Sequence, residues 1–327
     1  MRVSVVIPTV NRRDSVMRTV STVLCQDFPA SDCEIIVVAD GTSDDTAEAL
    51  RGCETESRVR VLEFEKNRGP AAARNAGWCA AAGELLVFLD DDLICTPGLL
   101  RAHVAAHMGV RNNEIVGLGA IYVSPDNPPS LASELFLRGL GAEYQRRRAY
   151  PDEPWPENTW SFANTSVARA VLERVGGFDE RFRKREDGEL GVRLLEAGVQ
   201  QQFVGGAVAY QSCDKSAQQL VRDAEVFAEC DLLFLRAHPG WSPHDFLSHL
   251  RREGPWKRRA RQMLARHLTM VDLLLAPLCT MGEWHGTPGP LRNVAARSLQ
   301  FRCGLHWYHR LLEVSGTMPE DWIRGDL

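Results

Sequence analysis

Four apolar runs, each short enough for a strand and separated by stretches of helical spacing, confine this chain to a narrow class of folds. "VSVVIPT" at 3–9, "EIIVVA" at 34–39, "RVRVLEF" at 58–64 and "ELLVFL" at 84–89 are rich in β-branched and aliphatic residues. After the first run, Val16, Val20, Val23 and Leu24 fall on one helical face. After the second, Asp44, Asp45 and Thr46 are placed to cap a helix through "TAEALRG". The alanine-rich "GPAAARNAGWCAAAG" at 69–83 predicts another helix. Continuous apolar strands alternating with helices predict an α/β fold with a mainly parallel central sheet covered on both faces. At 327 residues there is enough chain for one large α/β domain with an appendage, or for two ordinary domains.

In such a sheet ligands bind beyond the carboxyl ends of the strands. Standing there are Pro8 and Thr9, Asp40 and Gly41, and the triplet Asp90, Asp91 and Asp92. Three adjacent carboxylates repel one another and raise each other's pKa, a cost that a cation or strong donors must offset. Mg²⁺ or Mn²⁺ takes oxygen ligands and keeps positions open for phosphates, so a divalent ion is the expected cofactor at this rim.

The net charge of -5 gives no overall attraction to nucleic acid. Nine cysteines, dispersed without a CxxC pair, are expected to be reduced thiols of a cytoplasmic chain. "MRVSVVIPTVN" enters a strand pattern directly, without a secretion-signal pattern. "LTMVDLLLAPLCTMG" at 268–282 carries Asp272 and Pro277 and is too short to span a bilayer; it is expected to be a core helix.

"VSVVIPTVNRRDSVMRTVSTVLCQ", "EIIVVADGTSDDT", "NRGPAAARNAG", "FLDDDLICTPGLL", "GGFDERF" and "EDGELGVRLLEAG" follow one another in the order and spacing of glycosyltransferase family 2. The chain therefore resembles inverting nucleotide-sugar transferases of GT-A, Rossmann-like fold. The resemblance covers roughly residues 1–215, with 1–110 as the nucleotide-binding half and 111–215 as the acceptor and catalytic half. Residues 216–327 lie outside it and read as a helical C-terminal region.

The resemblance implies a role for each matching position. Pro8 and Thr9 lie near base and ribose, and Asp40 accepts the base's ring N–H, which favours a UDP- or dTDP-sugar; Ala39 stands where the family has a further aspartate. Arg68 and Arg74 sit beside base and diphosphate, Arg74 being the closer match. Asp90 meets the ribose, Asp92 holds the metal with Asp90, and Asp91 lies between them unassigned. Asp187 matches the catalytic base, preceded by Glu186. As a bland alternative, an acidic first turn of a helix at 188–197 is favoured by the helix dipole alone. Asn164 is expected near the donor sugar, while Trp160 reads as core. Tyr210 or Gln211 stands where the family has a metal-site histidine.

His103 and His107, at i and i+4 without the glutamate of a zinc protease motif, read as a surface or half-buried packing pair. Cys303, His306 and His309 read as packing in an aromatic helix. "RREGPWKRRARQMLARH" at 251–267 sets seven Arg or Lys against one Glu. It reads as a solvated helix face, with contact to an anionic membrane or acceptor as the sharper alternative. A homodimer through the C-terminal helices is equally open. Polysaccharide, lipid-linked, protein and natural-product acceptors all fit, their selection resting on the loop region 124–160. Competing readings are a sugar-phosphate nucleotidyltransferase, which "IPTVNRRDS" fails by lacking a glycine-rich phosphate loop, and a nucleotide-sugar binding protein without turnover.

Overall fold

The computed structural model describes residues 1–109, 115–125, 130–150, 160–213, 215–239, 254–283 and 289–315. Parts of two stretches read above, 126–129 and 151–159 of the acceptor loops and 251–253 of the basic run, lie outside them. Two compact units emerge: Met1–Pro128 with Leu140–Cys213, and Pro129–Gly139 with Asp214–Leu327.

The first unit is built on β1 (Val3–Thr9), β2 (Cys33–Asp40), β3 (Val59–Phe64), β4 (Leu85–Leu89), β5 (Leu93–Cys95), β6 (Ile115–Val123), β7 (Asn164–Ala168) and β8 (Gln200–Gln211). Its helices are α1 (Arg13–Leu24), α2 (Thr46–Cys53), α3 (Pro70–Ala80), α4 (Leu99–His107), α6 (Arg169–Val175) and α7 (Glu186–Glu196). α5 (Leu131–Ala149) contributes to both units. The strands form one sheet in the order β3-β2-β1-β4-β7-β6-β8-β5. The first four are mutually parallel, as their apolar runs predict. The second half is mixed: β7 runs antiparallel to β4 and β6, β8 parallel to β6, and β5 antiparallel to β8.

Period-two alternation explains the two cores. Val3, Val5, Ile7, Ile35, Val37, Leu85, Val87 and Leu89 enter the cluster shared with α1. Val6, Ile36, Val38, Leu86 and Phe88 enter the other, shared with α3, α6 and α7. There Phe88, Phe162 and Phe178 meet edge to face at 5.0–5.6 Å between centroids. α3 lies close on the sheet because Gly77 has no side chain; a Cβ there would stand 2.3 Å from Val6 Cγ1.

Sequence periodicity missed β5, which is only three residues long. It determines the shape of the sheet. Leu89 and Leu93 end and begin strands that lie four places apart in the sheet order. In a flat sheet those places would be about 19 Å apart, whereas the chain between the two residues reaches at most about 14 Å. The sheet must therefore curl until β5 returns toward β1 and β4. α1 closes the curl: Thr19 Oγ1 accepts the Leu93 N–H at 3.2 Å and Thr22 Oγ1 the Cys95 N–H at 3.1 Å. These bonds satisfy the amides of an edge strand that would otherwise invite pairing.

The second unit contains α8 (Ala217–Ala237), α9 (Pro255–Ala265), α10 (Leu268–Gly282) and α11 (Gly289–Ser315). α8 starts at a capping box in which Ser216 and Gln219 exchange backbone and side-chain hydrogen bonds. Ala228, Leu232, Val271, Leu305, Trp307, Tyr308 and Leu311 form its core. The expectation that 268–282 is a core helix holds for one face only. Val271, Cys279 and Gly282 are buried, while Leu273, Leu274, Leu278 and Met281 are exposed. His306 does more than pack: its ring nitrogens lie 2.6 Å from Glu225 and 3.0 Å from Asp272.

Candidate active site

Parallel pairing sets the ends of β2, β1 and β4 side by side, and the heads of α3 and α7 bond to them there. β4 stops at Leu89 because the next backbone groups leave the ladder: the Asp90 N–H donates to Ala163 O at 2.9 Å, and Asp92 O accepts from Ser212 N–H at 3.0 Å. Asp90, Asp91 and Asp92 thus lie across the mouth of the curled sheet.

Two guanidinium groups meet five carboxylates here. Arg12, just past β1, donates to Asp91 at 2.7 Å and to Asp92 at 3.1 Å. Thr9 Oγ1 donates to the other oxygen of Asp91 at 2.7 Å. Burial pushes Asp91 up to about 7, against the pull of Arg12. Burial likewise raises Asp92, again opposed by Arg12. Burial opposes the charge of Arg12, but Asp91 and Asp92 outweigh it and raise its pKa.

Arg74, one turn into α3, is the second cation. It donates to Glu186 at 2.8 Å, Asp187 at 3.3 Å and Asp90 at 3.1 Å. Arg74 is buried, its Nε has no hydrogen-bond partner among the described residues, and its guanidinium lies 5.6 Å from the Phe178 ring centre. Burial works against its charge; Asp187, Asp90 and Glu186 more than compensate and hold its pKa above the ordinary value. Arg185, in the left-handed region at φ 70°, turns the chain into α7. That turn puts Glu186 and Asp187 at the helix N-terminus, where the dipole favours carboxylates. Asp187 Oδ2 accepts the Phe162 N–H at 2.9 Å. Burial raises the Asp187 pKa to about 7 even with Arg74 pulling it down.

The predicted rim residues do not all face the same task. Thr9, Asp91 and Asp92 gather with Arg12, while Asp90, Glu186 and Asp187 gather around Arg74; the two groups meet through the backbone of the aspartate triplet, and Pro8 precedes Thr9 at the end of β1. Asp40 is 4% exposed, and its two oxygens accept the N–H groups of Arg68 at 2.6 Å and Gly69 at 2.8 Å. It therefore caps the start of α3, where Gly69 adopts φ 94°. Asp40→Ala should accordingly cost about 1–2 kcal/mol of stability; a thermal melt unchanged by the substitution would exclude the capping role. Arg68 turns outward to Glu180 at 3.0 Å and stacks over Phe64.

Asn164 is 2% exposed and committed to the sheet interior. Its amide donates to Ala120 O and Ala207 O at 3.2 and 2.9 Å, and its Oδ1 lies 3.0 Å from His103 Nε2. His103 and His107 are buried beside it, not at the surface, and both bond to Ser166 Oγ. Burial lowers each imidazole to about 4. Trp160 belongs to the core, as expected.

Sequence reasoning overlooked Arg12. A basic residue three positions past Thr9, on the same rim as an acidic triplet, was the available signal. Of the two candidates for the histidine position, Gln211 is the one at the site: its Nε2 donates to Asp92 at 3.1 Å. Tyr210 faces Tyr122 instead, 6.3 Å between ring centres.

The family described as "Glycosyl transferase family 2" matches residues 4–173. Validoxylamine A glucosyltransferase of Streptomyces hygroscopicus subsp. jinggangensis (strain 5008) is 32% identical over 271 residues, covering 74% of this chain and 62% of the relative. The chain spans about three-fifths of the length of the curated relatives it matches first. Among solved structures, mannosyltransferase PcManGT from Pyrobaculum calidifontis, in complex with GDP-Man and Mn²⁺, has a TM-score of 0.60 at 20% identity. That match covers 93% of this chain and 85% of the other. S. aureus TarS 1–349 in complex with UDP has a TM-score of 0.53 at 18% identity, with 97% and 92% covered. At these identities the two structures establish the GT-A fold.

Proposed function

The chain belongs to glycosyltransferase family 2, and from that premise we propose that it transfers a sugar, with inversion, from a UDP- or dTDP-sugar to an acceptor hydroxyl. The observation that carries the proposal is Arg74. One buried guanidinium joins Asp90, at the donor rim, to Asp187, at the head of α7.

Asp187 is the base. Its Oδ2 is held by the Phe162 N–H and its pKa is raised to about 7, so near neutrality it is balanced between holding and releasing a proton. The acceptor oxygen forms its bond to the anomeric carbon as the bond to the diphosphate oxygen breaks, and the acceptor's proton passes to Asp187. Arg74 fixes that carboxylate relative to Asp90.

The residues suit a divalent ion. All candidate ligands are hard oxygens, carboxylates outnumber guanidinium groups, and Asp91 and Asp92 already share one cation, Arg12. Asp92 with Asp90 would hold Mg²⁺ or Mn²⁺, and Gln211 adjoins Asp92 where the family has histidine. When bound, the ion would neutralise charge on the departing nucleoside diphosphate. Arg12 would exchange its hold on Asp91 and Asp92 for the phosphates.

Asp40 retains two lone-pair positions after capping α3, which is what a base contact would have to use. The acceptor stays open among the classes named above. Glucosyl donors come first for assay because the relatives are glucosyltransferases by name.

Thermal stabilisation by UDP, dTDP and GDP, each with and without Mn²⁺, tests the donor assignment. A ligand at about 100 times its Kd adds about 2.7 kcal/mol, so UDP or dTDP with Mn²⁺ should raise the melting temperature clearly. Asp92→Asn should remove the Mn²⁺-dependent part. Stabilisation by GDP alone would refute the pyrimidine assignment, and an unaltered Mn²⁺ effect in Asp92→Asn would refute the metal assignment.

A further inference from the structure

α10 presents an apolar face to solvent. Met270, Leu273, Leu274, Leu278 and Met281 are exposed, Leu273 at 77% and Leu274 at 70%. With exposed Pro277 they recur every three or four residues, forming one stripe about 16 Å long. The helix's one acid, Asp272, is engaged elsewhere, with Arg302 at 2.8 Å and His306 at 3.0 Å. A helix of a water-soluble domain normally turns such a stripe toward its core. A contiguous exposed stripe marks a contact surface instead.

The adjoining helix says what kind of contact. α9 and the link to α10 carry Lys257, Arg259 and Arg266, all exposed, and no acid lies between 254 and 271. Trp256, at the start of α9, is 81% exposed. α9 and α10 meet at a bend of 93°, and among the described residues no single helix is long and apolar enough to cross a membrane. α10 itself, at 15 residues, would reach about 22 Å, short of a hydrocarbon core of about 30 Å. Basic residues and a tryptophan beside an apolar stripe are suited to lying in the plane of a bilayer surface.

We infer that this face of the helical unit rests on an anionic lipid surface, with the Leu273–Leu274 stripe at the acyl boundary and Lys257, Arg259 and Arg266 among the phosphate headgroups. A second copy of the chain is the less suitable occupant. An isologous dimer through this face would bring two basic α9 helices together, and like charges would oppose it.

Flotation of the full chain with vesicles of phosphatidylcholine, alone or with phosphatidylglycerol, tests it. The chain should float with the anionic vesicles at low salt and stay behind with neutral ones. The pair Leu273→Glu and Leu274→Glu, and separately the pair Lys257→Glu and Arg259→Glu, should each weaken binding about tenfold or more. All four side chains are solvent-exposed, so circular dichroism should be unchanged. Absence of flotation, or equal flotation with neutral vesicles, overturns the inference. So does a dimer in light scattering that Leu273→Glu with Leu274→Glu dissociates, which would identify the second copy as the occupant.

Discussion

Asp187→Asn should lose about a thousandfold in kcat, within the roughly 10²–10⁴ that a positioned general base contributes, while nucleoside diphosphate affinity stays within a few fold. Asparagine preserves the shape and can still accept the Phe162 N–H through its amide oxygen. Arg74 retains Asp90 and Glu186, so the rim should keep its form. Product formation and calorimetric nucleotide binding, measured on the same preparation, separate the two effects. In the unmodified chain the rate should fall about tenfold per pH unit below about 7, because burial raises the Asp187 pKa to about 7 and only the ionised form can take the proton. A variant within tenfold of the native rate, or a flat acid limb, would remove Asp187 from the base role.

Arg74→Met should be the most destabilising substitution at the site. It leaves Asp90, Glu186 and Asp187 facing one another without their shared cation. Breaking a buried ion pair by removing one partner costs about 3–5 kcal/mol. Methionine fills the aliphatic part of the side chain, so little of that loss would come from packing. Lysine should rescue only part, because a single ammonium cannot reproduce the fork that spans three carboxylates. Urea denaturation provides the measurement; a loss below about 1 kcal/mol would mean that the carboxylates are neutralised by something other than Arg74.

The regular elements of the parallel half were legible from their periods. β1 to β4 and the helices between them lie within a few residues of their predicted positions, because alternation and helical spacing directly record which side chains are buried. β5 escaped because three residues cannot display a period. Arg12 escaped because its task depends on Asp91 and Asp92, some eighty residues away, brought to it by the parallel pairing of β1 with β4. Asp40 shows the opposite limit. Its acidity and its place after a strand were visible, but not that both oxygens are occupied by the start of α3. Asn164 was expected near the donor sugar from the resemblance alone; that its amide is spent tying strands together depends on Ala120 and Ala207, more than forty residues away. α10 misled for the same reason: its composition suits a core helix, and only the packing of α11 shows which side lacks a cover.

The acidic triplet between β4 and β5 also sets a dimension. It must carry the chain from the middle of the sheet to its far edge within four residues. Exchanging an aspartate for another side chain changes the chemistry and leaves that reach intact. Adding a residue would slacken the clasp, release Leu93 and Cys95 from the threonines of α1, and move Gln211 away from Asp92 through the β5–β8 register. This segment can therefore diversify by substitution but not by insertion, and variety in what the rim accepts has to come from the longer connections around it.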